Sequence, residues 1–230
     1  MLETFLEYLL SSTTGLEVAA GLLGLVRYQR LLPGLRWLAL LVGFDAVMEL
    51  TLLTLTRIFH FRNNLFMWPL ILTGEIVLQT LLYRHILQSA IFNRVVPWLL
   101  SLFCLYALLN SPLISTVTYY AVSVEIITDL IQISLAGLYF QKLLNELRVE
   151  NLRRDPFFWL SVALMAYGLG GILISLFSNY LLTHCTVQLQ KTVFWGMRSV
   201  FNIQLYLAYM LVLWVRPVPA NAPRALTSVS

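Results

Sequence analysis

Seven apolar runs, each long enough to cross a membrane, occupy most of the chain. The hydrocarbon core of a bilayer is about 30 Å thick, so a transmembrane helix needs about 20 consecutive apolar residues. The runs lie near residues 5–26, 37–57, 65–83, 95–115, 119–140, 157–181 and 193–214. Each run is too long and unbroken for a barrel strand of about 10 residues. The sequence therefore predicts an all-α polytopic membrane protein, a bundle of seven transmembrane helices.

The composition excludes a soluble globular protein. Of the 230 residues, 59% are hydrophobic and 11% are charged, and the mean hydropathy is +0.79, which leaves too little polar surface to cover a water-soluble domain. Residues 1–215 are predicted to form a single transmembrane domain. The proline-rich segment 216–230, "RPVPANAPRALTSVS", is predicted to be a short disordered cytoplasmic tail. The start, "MLETFLEYLL", is acidic where a secretory signal would be basic, so we expect the first span to be retained.

The basic residues are distributed unequally between the two sides of the predicted bundle. Eleven of the 15 lie after the odd-numbered spans or in the tail, three lie on the opposite side, and one lies inside the seventh span. The eleven are Arg27, Arg30, Arg36, Arg84, Arg94, Lys142, Arg148, Arg153, Arg154, Arg216 and Arg224. Because cytoplasmic loops carry an excess of Lys and Arg, this asymmetry predicts an external N-terminus and a cytoplasmic C-terminus. The net charge of +4 thus follows from topology, and no nucleic-acid partner is expected.

Acidic side chains inside the predicted spans are the most informative feature of the sequence. The six are Glu17, Asp45, Glu49, Glu75, Glu125 and Asp129, against one base, Arg198. A charge at the bilayer centre costs roughly 2.5 to 3.5 kcal/mol on insertion scales. We therefore predict that at least one of the four acids in the two i, i+4 pairs (45/49 and 125/129) holds a proton or a cation at neutral pH. Arg198 is expected to be the counter-ion of Glu75 or Glu125.

The spacing of these acids places them on helix faces with other polar residues. Asp45 and Glu49 are four residues apart, and other stripes run through 75/79, through 125/129/132 and through 198/202/206/209. Polar stripes are expected to point inward, because lipid cannot form hydrogen bonds with them. We predict that they converge on one interior cavity, with the uncharged fourth span outside it. The predicted ligand- or proton-binding residues are Asp45, Glu49, Glu75, Glu125, Asp129, Arg198 and Asn202.

Structural explanations for some of these features remain open at this point. A single buried acid such as Glu17 is often a hydrogen-bonding contact between helices, worth about 0.6 kcal/mol on average. In the sixth span, the run "AYGLGGILIS" spaces small residues four apart, which favours close helix packing over a hinge or a ligand contact. The chain contains no Walker loop, dinucleotide fingerprint, HExxH sequence or nucleophile elbow. We therefore expect no enzymatic activity, no cofactor and no metal site.

Three long stretches suggest relatives for this chain. They are "NNLFMWPLILTGEIVLQTLLYRHIL", "PFFWLSVALMAYGLGGILISLFSNYLL" and "FWGMRSVFNIQLYLAYMLVLW". On these stretches the chain resembles an uncharacterised group of seven-helix bacterial inner-membrane proteins. The resemblance implies a multi-pass protein of the bacterial inner (plasma) membrane. Some members of such groups look like companions of membrane signalling kinases, which implies a signalling partner here.

Two functions are compatible with these features. The first is a sensor or receptor-like protein whose acidic intramembrane cavity binds a proton, a cation or a small ligand and signals through a cytoplasmic or membrane partner. The alternative is a small proton- or cation-coupled transporter that uses the same carboxylates as a relay. Besides that partner and the small ligand or cation, the expected partner is the lipid bilayer.

Overall fold

The structure is a computed structural model that describes residues 2–60, 67–109, 122–146 and 155–215. These residues form helices and short connections, with no strand among them. The helices are α1 Leu2–Arg27, α2 Pro33–Arg57, α3 Met67–Leu87, α4 Ala90–Leu109, α5 Val122–Asn145, α6 Pro156–His184, α7 Val187–Lys191 and α8 Arg198–Trp214. A 3₁₀ turn, Tyr28–Arg30, follows α1, and a π-helical segment, Thr192–Met197, joins α7 to α8. The predicted all-α class is confirmed.

Within the described residues, six helical segments are long and apolar enough to cross a membrane. They are Thr4–Arg30, Pro33–Arg57, Met67–Leu87, Ala90–Leu109, Ser123–Asn145 and Pro156–Phe177. These six overlap the first six predicted spans and support a membrane protein. The seventh predicted span corresponds to the end of the π-helical segment and to α8, which alone has 17 residues. The predicted tail, 216–230, lies outside the described residues, as do positions 65–66, 110–115 and 119–121 of the predicted spans.

Local sequence explains where two of the helices begin. Pro33 and Pro156 stand at the first positions of α2 and α6, where a residue without a backbone N–H leaves no hydrogen bond unmade and its φ angle already suits a helix. At α6 the Asp155 carboxylate also accepts a hydrogen bond of 2.9 Å from the backbone N–H of Phe157. This N-cap satisfies one of the free donors of the first turn.

Long basic side chains bring several helix ends to one end of the bundle. Arg27 donates to the backbone oxygens of Leu213 and Trp214, at 3.1 and 2.6 Å, which joins the ends of α1 and α8. Lys142 donates to the backbone oxygen of Ile86 at 2.7 Å, which joins the ends of α5 and α3. Cations at helix C-termini are favourable because they satisfy free carbonyls and complement the helix dipole. We call this end, which also holds the starts of α2 and α6, the basic end.

The helices pack unequally around the main core. That core lies between α2, α3, α5, α6 and α8 and includes Leu38, Leu82 and Leu164, all fully buried. In contrast, α4 contributes one buried side chain, Phe92, to that core and otherwise packs through a small second cluster, while its Ile91 and Trp98 are each 78% exposed. Large apolar side chains on such a surface suit a lipid-facing position. The fourth span is therefore peripheral, as the absence of charge predicted.

Candidate functional site

A buried ion pair joins the starts of α5 and α8. The Nη1 atom of Arg198 pairs with Oε1 of Glu125, and the Glu125 side chain is almost fully buried. The guanidinium also lies over the ring of Trp68, 5.0 Å from its centroid, in a cation–π contact. Glu125, one of the two expected partners, is therefore the counter-ion of the base inside the seventh span.

Asp129 lies one turn further along α5 and has a different environment. Its side chain is 2% exposed, and its Oδ2 atom has no hydrogen-bond partner within the described part of the chain. A Cβ atom built on Gly171 of α6 would overlap the Asp129 carboxylate. The carboxylate therefore fits between α5 and α6 because residue 171 has no side chain. The small residues of α6 serve close packing, as expected, and they also make room for an acid.

A small cavity separates these groups. The centre of a water-sized sphere can occupy a volume of ≈ 10 Å³ inside it. The residues in its wall are Glu125, Asp129, Tyr167, Gly171, Ile174, Arg198 and Phe201. A cavity of about 10–15 Å³ by this measure holds about one water molecule. With two carboxyl groups, a hydroxyl and a guanidinium in its wall, it suits a single water or a small ion and is too small for an organic ligand.

The other acid pair, on α2, has hydroxyl partners on two different helices. The Tyr206 hydroxyl of α8 donates to Oδ2 of Asp45 at 3.2 Å. The Thr14 hydroxyl of α1 donates to Oε1 of Glu49 at 2.7 Å. Asp45 is buried, at 6% exposure, whereas Glu49 is half-buried. The Oδ1 atom of Asp45 has no hydrogen-bond partner among residues 2–60, 67–109, 122–146 and 155–215.

Glu75 of α3 lies between the two groups of acids. Its charge interacts with those of Arg198 and Glu125 on one side and with that of Asp45 on the other. The sixth acid, Glu17 of α1, interacts with Glu49 and Glu75 as well. All six acids and Arg198 thus belong to one electrostatically connected cluster, which we call the acid cluster.

The acids that were predicted to converge on one interior cavity belong to one electrostatically connected cluster, but in the described part of the chain they do not line a single cavity. Three of the seven predicted site residues, Glu125, Asp129 and Arg198, line the ≈ 10 Å³ cavity. Asp45, Glu49 and Glu75 join the same cluster without lining that cavity. Asn202 is half-buried on α8, between Arg198 and Tyr206 in sequence, and it does not line the cavity either. The reason is geometric: i, i+4 spacing fixes a face of a helix, whereas a shared cavity also requires matching depth.

The sequence analysis did not identify some of the polar residues near the acid cluster. Tyr167 lines the small cavity, and the fully buried Tyr83 shares a 2.8 Å hydrogen bond with Ser161 of α6. Tyr83 continues the face of Glu75 and Gln79 at a spacing of four, so an extended search of that stripe would have found it. Tyr167 and Ser161 stand in a helix whose polar residues form no stripe with an acid, so they gave no comparable signal.

The sequence matches no protein-family model, no curated protein and no solved structure.

Proposed function

We propose that this protein is an integral membrane sensor whose acid cluster binds a proton or a small cation, and that a cytoplasmic or membrane partner responds to the change. The observation that supports it best is a pair of buried carboxylates, Asp45 and Asp129, each with an oxygen that lacks a hydrogen-bond partner in the described ranges. Native proteins rarely leave such atoms unsatisfied, so each one marks a place for a proton, a water molecule or an ion.

The charge balance of the cluster supports the same function. The cluster contains six carboxyl groups and one guanidinium, and that guanidinium is paired with Glu125. Removing a carboxylate from water without compensation is so costly that the group takes up a proton or recruits a cation instead. The cluster is therefore expected to exist in at least two charge states. Exchange between two such states is what a proton or cation sensor requires.

The first prediction tests the charge state directly. Carboxyl infrared absorption of the protein in lipid, recorded between about pH 5 and 9 with and without Na⁺, should show a protonated or cation-dependent band. Asp45→Asn or Asp129→Asn should remove the contribution of the replaced acid to that band and abolish the response of the protein to protons or Na⁺. The bundle should stay folded, because the amide keeps the shape of the side chain and loses only the titratable group. The exposed Glu7 provides the matched control, Glu7→Gln. Spectra with every acid ionised at pH 7 and no effect of Na⁺ would contradict the proposal.

A measurement of ion flux distinguishes a sensor from a transporter. In reconstituted vesicles with an imposed pH or Na⁺ gradient, a sensor should bind without net flux above that of protein-free vesicles. Flux that disappears in Asp45→Asn would overturn the sensor in favour of a proton- or cation-coupled transporter. Because the cavity holds about one water molecule, protons and small cations are the species to test.

The proposal includes location and orientation. The excess of eleven basic residues over three on the two sides favours an orientation with the basic end in the cytoplasm, and the seven apolar runs and the resemblance given above favour a seven-helix protein of the bacterial inner membrane. The second prediction is that reporter fusions after Ser230 and near Glu146 show a cytoplasmic location. A periplasmic signal at either position would reverse the orientation and place the partner on the other side.

A further inference from the structure

A large cavity opens at the basic end of the bundle. It lies between the starts of α2 and α6 and the ends of α3 and α5, and its volume is ≈ 570 Å³. Polar side chains in its wall are His85, Gln88, Tyr139, Lys142, Glu146 and Asp155. A space this large with several charged groups in its wall is expected to hold water. We call it the vestibule.

Four buried tyrosines lie between the vestibule and the acid cluster. They are Tyr139, Tyr83, Tyr209 and Tyr206, all members of the main core and at most 7% exposed. At the vestibule, the Tyr139 hydroxyl donates to Oδ2 of Asp155 at 2.5 Å. At the other end, the Tyr206 hydroxyl donates to Asp45. The line therefore begins at a carboxylate in the vestibule wall and ends at a buried carboxylate.

The members of this line belong to one contiguous cluster of buried side chains. The rings of Tyr206 and Tyr209 are in T-shaped contact, with centroids 5.7 Å apart. The Tyr83 hydroxyl shares a 2.8 Å hydrogen bond with Ser161, and Tyr83 lies close enough to Tyr209 and Tyr139 for their charges to interact. Each tyrosine hydroxyl can donate one hydrogen bond and accept others. Hydroxyl groups arranged in this way, with water between them where needed, are able to pass a proton.

We propose that the vestibule and this tyrosine line form a proton-access pathway that equilibrates Asp45 with the aqueous phase at the basic end. The inference rests on the proposed function, because it requires Asp45 to exchange a proton. A proton enters from water at Asp155, and the Tyr139 hydroxyl, which donates to Asp155, turns to accept it and releases its own proton onward. Each later hydroxyl does the same, with Ser161 or water as a bridge where two tyrosines are not bonded to each other, and Asp45 gains one proton. The tyrosines return to their starting state, so the net transfer is one proton from water to the cluster.

The surroundings of Asp45 favour access from this end. The titratable groups that face it are Glu49 on its own helix, Glu17 on α1, Glu75 on α3, and Tyr206 and Tyr209 on α8. Beyond Glu75 stands Arg198, a permanent positive charge. Arg198 is paired with Glu125, and because a guanidinium has donors only, it cannot accept a proton and pass it on. The tyrosine side, in contrast, contains neutral groups that both donate and accept.

The test measures how fast the buried carboxyl exchanges its proton. Rapid mixing of the reconstituted protein with D₂O shifts the infrared band of a protonated carboxyl, and subtraction of the Asp45→Asn spectrum identifies the Asp45 contribution. Tyr83→Phe should slow this exchange about tenfold or more, as for other positioned proton donors, without changing the amplitude. Tyr139→Phe is the second variant, in case the first lowers folded yield. Tyr106→Phe is the matched control, since Tyr106 of α4 bonds to Ser123, away from the line.

The outcomes separate the two proposals. Exchange slowed by Tyr83→Phe or Tyr139→Phe but unaffected by Tyr106→Phe supports the pathway. Unchanged rates in both tyrosine variants would overturn the pathway and leave the sensor proposal intact. If Asp45 shows no protonated band at any pH between about 5 and 9, the pathway fails because Asp45 has no proton to exchange; a cation-dependent band from the cluster would then preserve the sensor proposal alone.

Discussion

Two i, i+4 acid pairs with the same sequence pattern have different partners in this bundle. On α5, Glu125 is paired with Arg198, a guanidinium. On α2, the bonds described for Asp45 and Glu49 come from hydroxyl groups, those of Tyr206 and Thr14. A guanidinium has donors only and therefore selects the ionised carboxylate, whereas a hydroxyl both donates and accepts and tolerates either protonation state. The α5 pair thus contains a fixed charge, and the α2 pair is suited to a variable one.

This difference assigns separate tasks to the two halves of the acid cluster. The pair of Glu125 and Arg198 joins α5 to α8, and the Arg198 guanidinium in it is permanently charged. The Asp45 side is joined to the tyrosine line and, through it, to the vestibule. Glu75 interacts with both halves, so a change of charge at Asp45 is felt at the ion pair. The charges of the Glu125 and Arg198 pair then stay constant, while a change of charge at Asp45 alters the electric field inside the cluster.

The largest expected effect tests the fixed half. Arg198→Gln leaves Glu125 buried without its counter-charge, and breaking a buried pair in this way costs about 3–5 kcal/mol. We expect a large loss of folding stability, measured by thermal unfolding in a mild detergent at pH 7. The matched change in the variable half, Asp45→Asn, should cost far less because it removes no counter-charge.

A double variant separates loss of the pair from loss of packing. Glu125→Gln combined with Arg198→Gln removes both charges and should restore most of the lost stability, because no unpaired ion remains. If the double variant is as unstable as Arg198→Gln alone, the contact of Arg198 with the Trp68 ring accounts for the effect, and the comparison between a fixed and a variable half loses its support.

An intermediate effect is expected at the wall of the small cavity. Gly171→Ala places a Cβ atom against the Asp129 carboxylate, and such overpacking typically costs about 1–3 kcal/mol. Gly137→Ala on α5 is the control, because nothing lies within 4 Å of its Cβ position and alanine is the better helix former by up to about 1 kcal/mol. The unfolding temperature should therefore fall in Gly171→Ala and rise in Gly137→Ala. A neutral Gly171→Ala would mean that Asp129 has another position available.

Much of the fold follows from the sequence, and the limits of prediction have physical causes. Apolar run length predicted the all-α class and located six helices, and the absence of charge placed α4 outside. The single base predicted a buried ion pair, but spacing left Glu75 and Glu125 as alternatives, because the choice depends on helix rotation and depth. The seventh run lacked any sign of its π-helical segment, Thr192–Met197, since hydropathy does not distinguish helix types. The Tyr83 to Ser161 contact depends on the packing of α3 on α6, which no local pattern encodes.

The smallest expected effect tests the variable half. Thr14→Val keeps the shape of the side chain and removes the hydroxyl that donates to Glu49 at 2.7 Å. Interhelical hydrogen bonds in membranes are worth about 0.6 kcal/mol on average, so thermal unfolding should shift only slightly, less than for Gly171→Ala. The neighbouring Thr13 is the matched control, because its hydroxyl bonds to the backbone oxygen of Leu9 in its own helix and Thr13→Val should leave Glu49 unaffected. The carboxyl infrared bands should change in Thr14→Val alone, since a variable carboxyl responds to the loss of one neutral donor. A loss of stability as large as that of Arg198→Gln would instead mean that the bond from Thr14 to Glu49 holds the bundle together as strongly as the ion pair does, and the two acid pairs would then differ in partner but not in behaviour.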